Sequence, residues 1–80
     1  MLLILTDHDR AYFAILGPVE DSAETSAMVD EAQAEGRDVT WEVAAATTAW
    51  EAADQYLAVR SDYRRVLPDL ILSTPLPPHY

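Results

Sequence analysis

The chain has 80 residues, half of them apolar, and it contains no cysteine. This length suffices for one small domain with a hydrophobic core, and the lack of cysteine excludes a disulfide framework, a thiolate nucleophile and a thiolate zinc site. Fourteen acidic residues oppose five arginines, no lysine is present, and the formal net charge is −9. A protein this acidic repels nucleic acid and anionic membranes, which favours a basic protein surface as its partner.

The charge is unevenly distributed along the chain. Residues 1–40 hold nine acids and two arginines, a net charge of −7, whereas residues 41–80 hold five acids and three arginines, a net charge of −2. Acidity also keeps small proteins soluble, so solubility is an alternative explanation for the negative net charge.

The first third of the chain predicts a β-hairpin. Residues 2–5 (LLIL) and 11–17 (AYFAILG) are apolar runs typical of strands, and the polar residues 6–10 (TDHDR) between them suit a hairpin connection. The first run has no basic flank and is too short for a signal peptide or a membrane span, so we expect a soluble cytoplasmic protein.

A helix is predicted over residues 21–35. Asp21 or Ser22 is placed to cap its start, and Gly36 stands where a left-handed residue closes many helices.

The second half predicts a strand, a helix and a strand. Residues 38–43 alternate between apolar and polar, Thr48 and Glu51 form a capping box, and the helix that they open is expected to run to Leu67, before Pro68. Residues 69–73 (DLILS) predict a short last strand.

The predicted order is therefore ββαβαβ. We expect an α+β fold of two layers, a four-stranded mixed sheet with both helices on one face, in a single domain over residues 1–74, followed by an extended proline-rich tail at 75–80. Both faces of the first two strands are apolar, so a sheet covered on one side only would need another cover. A homodimer is the predicted cover, with the tail or a partner as alternatives.

The triplet Asp7-His8-Asp9 suggests a metal site, a general base with its orienting acid, or a turn. The other histidine is His79, far along the chain, and no nucleophile elbow accompanies the triplet. The turn is the favoured interpretation, so we expect no catalytic residue, no metal and no cofactor.

An acidic run provides the candidate partner-binding site. Six acids lie within residues 20–35 without any base among them. The acids near the start of the helix suit its dipole, but Glu31 and Glu35 near its C-terminal end oppose it, so the run favours a surface that docks on a basic groove over a merely solvated face. The predicted contact residues are Glu20, Asp21, Glu24, Asp30, Glu31 and Glu35.

Four aromatic residues are expected in the core because they follow strand alternation or helical spacing. They are Trp41, Trp50, Tyr56 and Tyr63.

As a whole, the chain resembles the small phage-encoded anti-CRISPR inhibitors of type I systems. The resemblance lies in its length, the lack of cysteine and lysine, an isoelectric point near 4.2 and the run EDSAETSAMVDEAQAE. It implies a non-enzymatic inhibitor that binds a basic, nucleic-acid-binding surface of Cas proteins in the surveillance complex and blocks target DNA, without itself binding nucleic acid or membrane. The alternatives are another binding or assembly module that uses an apolar sheet face (an antitoxin, an immunity protein or a subunit) and an enzyme at the triplet.

Overall fold

The computed structural model describes residues 1–72; residues 73–80, which include the predicted tail, lie outside the described residues. Strands and helices alternate in most of the chain. In chain order they are β1 (Leu3–Asp7), β2 (Tyr12–Leu16), α1 (Ala23–Ala34), β3 (Val39–Val43), α2 (Ala49–Val59), β4 (Arg64–Arg65) and α3 (Asp69–Leu72).

The four strands form one mixed sheet in the order β3-β1-β2-β4. The central strand β1 is antiparallel to both β2 and β3, and β2 is parallel to the short β4. The α+β class, the four-stranded mixed sheet and the predicted hairpin of β1 and β2 are therefore confirmed.

One face of the sheet is covered by α2. Ile4 on β1 and Phe13 and Ile15 on β2 pack against Ala52 and Tyr56. The Phe13 and Tyr56 rings are stacked, with their centroids 4.2 Å apart. We call this side the α2 face.

The opposite face is covered by α1 and α3. Leu5 and Ala14 on the sheet pack with Val29 and Ala32 of α1 and with Ile71 of α3. We call this side the α1 face. The apolar residues on both sides of β1 are explained by helices on both sides of the sheet.

The prediction of two layers with both helices on one face was therefore wrong. From β2 the chain passes over β1 to reach β3, and from β3 it returns over β1 and β2 to reach β4. The strands β2, β3 and β4 are parallel to one another, and the two crossovers run in opposite directions. Right-handed crossovers in opposite directions place their helices on opposite faces. The uncovered face that predicted a homodimer therefore does not exist.

The second long helix is shorter than predicted. It ends at Val59 rather than Leu67, and Arg64 and Arg65 form β4. The amides of Arg64 and Val66 donate to the carbonyls of Ala11 and Phe13, at 2.9 and 2.8 Å. Pairing with the edge of β2 replaces the helical hydrogen bonds that these residues would otherwise make.

The predicted last strand is a short helix instead. The carbonyl of Pro68 accepts from the amides of Ile71 and Leu72, at 3.0 and 2.9 Å. Pro68 thus starts a turn of helix instead of only ending the preceding one, as proline does at a helical N-terminus. The turn places Ile71 in the α1-face core, fully buried.

The predicted helix ends are largely confirmed. Gly36 has φ +86°, its amide donates to Gln33, and the Arg37 amide donates to Ala32, which is a Schellman closure of α1. At the start of α2 the Glu51 amide donates to Thr48 Oγ1 at 3.1 Å. The Glu51 carboxylate accepts from Thr47 rather than from Thr48, so the capping box is displaced by one residue.

Candidate functional site

All six acids of the predicted contact surface are solvent-exposed. Two precede α1, three lie on it and one is its C-cap. We call this set the α1 acidic surface; its members are Glu20, Asp21, Glu24, Asp30, Glu31 and Glu35.

Helical geometry aligns three of these acids. At about 100° per residue, Glu24, Glu31 and Glu35 fall within roughly 40° of one another around the α1 axis. The residues that α1 buries, Thr25, Val29 and Ala32, lie on a neighbouring sector of the helix. Because that sector is fixed against the sheet, the three carboxylates form a stripe held on a rigid frame. Asp30 lies on a separate side of the helix, about 100° or more from the stripe.

The α1 acidic surface is not neutralised by the described part of the chain. The ion pair found among residues 1–72 joins Arg10 Nε to Asp7 Oδ2 at 2.7 Å, and it involves none of these acids. The two arginines of the acidic half are engaged elsewhere. Arg10 donates to the carbonyl of Leu70 at 3.2 Å, and Arg37 donates to that of Ile71 at 2.6 Å, which caps the end of α3.

Three of the acids also border a groove of about 360 Å³ between the start of α1, the end of β2 and α3. Glu20, Asp21 and Glu24 provide its acidic side. The apolar residues that line it are Leu16, Val19, Met28 and Leu72. We call it the α1 groove. It adds apolar contact area beside the carboxylates, which the spacing of the acids alone did not predict.

The chain leading into the α1 groove is held by the N-terminus. Met1 and Val19 exchange two main-chain hydrogen bonds, 2.6 and 2.8 Å long. Gly17 lies beneath this contact with φ +123°, and a Cβ on it would come within 2.7 Å of the Met1 carbonyl oxygen. A side chain at this position would displace the segment that carries Val19 and Glu20.

His8 and Asp9 lie in the predicted turn, and Asp7 is the last residue of β1. Asp7 is buried, and its Oδ1 accepts from the amides of Asp9 and Arg10, at 3.1 and 3.2 Å. Asp9 in turn accepts from the Asp38 amide at 3.2 Å and so ties the turn to the start of β3. These bonds give both carboxylates a structural role.

The imidazole of His8 bridges two other elements. Its Nδ1 lies 3.0 Å from the Tyr63 hydroxyl, and its Nε2 lies 3.0 Å from Thr40 Oγ1. Among residues 1–72, no three histidine and acidic side chains are grouped closely enough to hold a metal ion.

A polar network on the α2 face was not foreseen from the sequence. The buried Tyr56 hydroxyl bonds to Thr6 Oγ1 at 2.9 Å and accepts from Arg60 Nη1 at 3.1 Å. The hydrogen bond to Tyr56 is the largest cause that raises the pKa of Arg60. The i,i+4 spacing of the two residues was the available sequence indication. The network fastens the end of α2 to the sheet.

The aromatic residues occupy different environments. Tyr56 is buried, and Trp41 and Tyr63 are half-buried. The expectation for Trp50 was wrong, because its side chain is 78% exposed in the first turn of α2.

The chain was compared with protein-family models, with curated proteins and with solved structures, and nothing matched. No helix within residues 1–72 has the length and apolar character needed to cross a bilayer. The functional proposal below rests on the α1 acidic surface and the α1 groove.

Proposed function

We propose that this chain is a non-enzymatic protein inhibitor whose α1 acidic surface docks on a basic, nucleic-acid-binding surface of a type I CRISPR surveillance complex and blocks target DNA. The observation that carries the proposal is the rigid stripe of Glu24, Glu31 and Glu35, exposed and without an ion-pair partner among the described residues. Such a stripe offers the partner carboxylates at fixed positions.

The position of the stripe favours a binding role over a stabilising one. Glu31 and Glu35 lie at the C-terminal end of α1, where negative charge opposes the helix dipole. Exposed charges that do not stabilise their own helix suit recognition of a cationic surface. Opposite charges also speed association with such a surface.

The α1 groove supports the same surface. A partner whose lysines or arginines meet Glu20, Asp21 and Glu24 would place its aliphatic side-chain stems over Met28 and Val19. Contact of this kind adds apolar burial to the charge pairing, so binding would not depend on charge alone.

The alternative of a binding module that uses an apolar sheet face loses its surface, since helices cover both faces of the sheet. An assembly role would have to use another part of the molecule.

The test is target-DNA binding by purified type I complexes, with and without the protein, at about 0.1 M and 1 M salt, where the Debye length falls from roughly 10 Å to 3 Å. We expect the protein to abolish DNA binding at low salt and to lose affinity for the complex at high salt. The association of protein and complex is therefore measured directly at both salt concentrations, because DNA binding weakens with salt as well.

Matched charge variants locate the surface. The triple variant Glu24→Gln, Glu31→Gln, Glu35→Gln and the control Asp54→Asn, Asp62→Asn, Asp69→Asn both change the net charge by the same three units, and all six side chains are exposed. The first should weaken inhibition by about tenfold or more, and the control should change it little. Equal losses would assign the effect to net charge, and no inhibition of complexes from several subtypes would refute the proposal.

A further inference from the structure

The outer edge of β3 is a second candidate surface, separate from the α1 acidic surface. β3 is the last strand on its side of the sheet, and no other strand within residues 1–72 pairs with its outer edge. The strand VTWEV has no proline and no lysine, which are common means of protecting a sheet edge from further pairing, and its one charged residue is Glu42.

The register shows which backbone groups the edge presents. The His8 amide donates to the Asp38 carbonyl, and the Ala44 amide donates to the Leu2 carbonyl. Because hydrogen-bonded pairs alternate in an antiparallel ladder, the even-numbered residues of β3 face β1 with their amides and carbonyls. The backbone amides and carbonyls of Val39, Trp41 and Val43 therefore point away from β1, toward the outer edge. The Gln33 side-chain amide donates to the Val39 carbonyl at 2.9 Å, which agrees with this orientation.

Exposed apolar side chains flank the same edge. Val43 is 56% exposed and Val59 at the end of α2 is 84% exposed. Both line a groove of about 340 Å³ between β3 and α2, whose lining also includes the polar side chains of Glu42, Gln55 and Arg60. Pairing at the edge would remove apolar surface from water as well as satisfying backbone groups.

We infer that β3 pairs antiparallel with β3 of a second copy of this chain, around a two-fold axis at Trp41. In this register each Trp41 lies opposite the other, Val39 lies opposite Val43, and outward-facing backbone groups meet outward-facing groups. All five residues of each strand have an opposite residue, and Thr40 lies opposite Glu42. The Val39 carbonyl, which already accepts from Gln33 Nε2, would accept a second hydrogen bond from the Val43 amide of the other copy. If one strand is shifted by one residue, the outward-facing amides and carbonyls of one copy lie opposite the inward-facing ones of the other. If it is shifted by two residues toward Val43, the two copies of Glu42 lie opposite each other.

A second copy fits this edge because the strand is self-complementary, as a two-fold interface requires. The salt dependence also distinguishes the contact from the proposed inhibitory one. Each copy carries a net charge of −9, so the copies repel one another, and screening should strengthen their association. Binding of the α1 acidic surface to a basic partner should instead weaken when the salt concentration is raised.

The first experiment is sedimentation velocity of the full chain across micromolar concentrations, at about 0.1 M and 1 M salt. A dimer that is more populated at high salt is expected. Val43→Pro removes an outward amide without touching the ladder to β1 and should leave a monomer with an unchanged circular dichroism spectrum, because proline is tolerated at such edge positions. Val43→Thr keeps the amide and should still dimerise. Wild type that remains a monomer at both salt concentrations overturns the proposal, as does a dimer that Val43→Pro leaves intact.

Single cysteines test the register in a chain that otherwise has none. Paired residues of this type have Cα atoms about 5.5 Å apart, within the range that a disulfide spans. Under mild oxidation Trp41→Cys should form a covalent dimer, whereas Val43→Cys, at a more exposed position, should not form one readily. Faster cross-linking of Val43→Cys would contradict the axis at Trp41.

Discussion

The two long helices are similar in length but differ in what their residues do. α2 places Tyr56 in a stacked contact with Phe13 and has a side-chain N-cap at Thr48. α1 buries only Thr25, Val29 and Ala32. Its N-cap, Ser22, makes no side-chain capping bond, and Asp21 Oδ1 instead accepts from the Ala23 amide at 2.9 Å. Its exposed side carries acids at the end where they oppose the dipole. α2 is thus explained by the stability of the fold, and Asp21 and Glu24 suit the start of α1, but the charges of Glu31 and Glu35 at its C-terminal end do not stabilise the helix. The functional proposal rests on this difference.

The largest expected effect is on the packing of α2. Tyr56→Ala removes the ring stacked on Phe13 and leaves the buried Thr6 hydroxyl without its partner. The free energy of unfolding should fall by about 3–5 kcal/mol, measured by urea denaturation. Tyr56→Phe is the control, which keeps the ring and loses only the hydroxyl, and it should cost about 1–2 kcal/mol. Equal losses for the two variants would mean that the hydroxyl network, and not the ring, holds α2.

The corresponding substitution in α1 should cost less. Val29 is buried against the sheet, and Val29→Ala removes two methyl groups, with an expected loss of about 2 kcal/mol in the same denaturation experiment. If Val29→Ala lowered the free energy of unfolding as much as Tyr56→Ala, α1 would be as important to the core as α2, and the contrast between the two helices would be wrong.

The N-cap of α2 gives a smaller effect. Thr48→Ala removes the acceptor for the Glu51 amide and should lower the free energy of unfolding by about 1 kcal/mol. Ser22→Ala at the N-cap of α1 is the matched control, and it should have little effect because its side chain makes no capping bond. A large loss from Ser22→Ala would show that α1 depends on its cap after all.

The smallest expected effect on stability has the opposite sign. Glu31→Lys and Glu35→Lys each replace a charge that opposes the α1 dipole by one that suits it, and neither acid has an ion-pair partner among the described residues. Each should raise the free energy of unfolding by about 0.3–1 kcal/mol at low salt, with a higher melting temperature. A fall in stability from either variant would show that these acids support the fold.

Much of the fold could be predicted from the sequence. The alternation of Val39, Trp41 and Val43 identified β3, and Gly36 and Thr48 marked helix ends. The face on which each helix packs depends on the order of strands, which the local pattern does not contain. Helical spacing also continued past Val59, but the pairing of Arg64 with β2, a contact distant in sequence, ended the helix earlier.

The candidate site likewise has one part that the sequence predicts and one part that it does not. The six acids were predicted as contact residues, and the stripe of Glu24, Glu31 and Glu35 among them follows from helical spacing alone. The α1 groove was not, because Leu16, Val19 and Leu72 come from separate segments that only the folded chain brings together.

Glu31 and Glu35 are proposed to serve binding and not the fold. The most direct measurement determines both properties on one protein, the double variant Glu31→Lys, Glu35→Lys: its melting temperature and its inhibition of target-DNA binding by a type I surveillance complex that the wild type inhibits. We expect a higher melting temperature together with a loss of inhibition. Inhibition equal to that of the wild type would contradict this proposal.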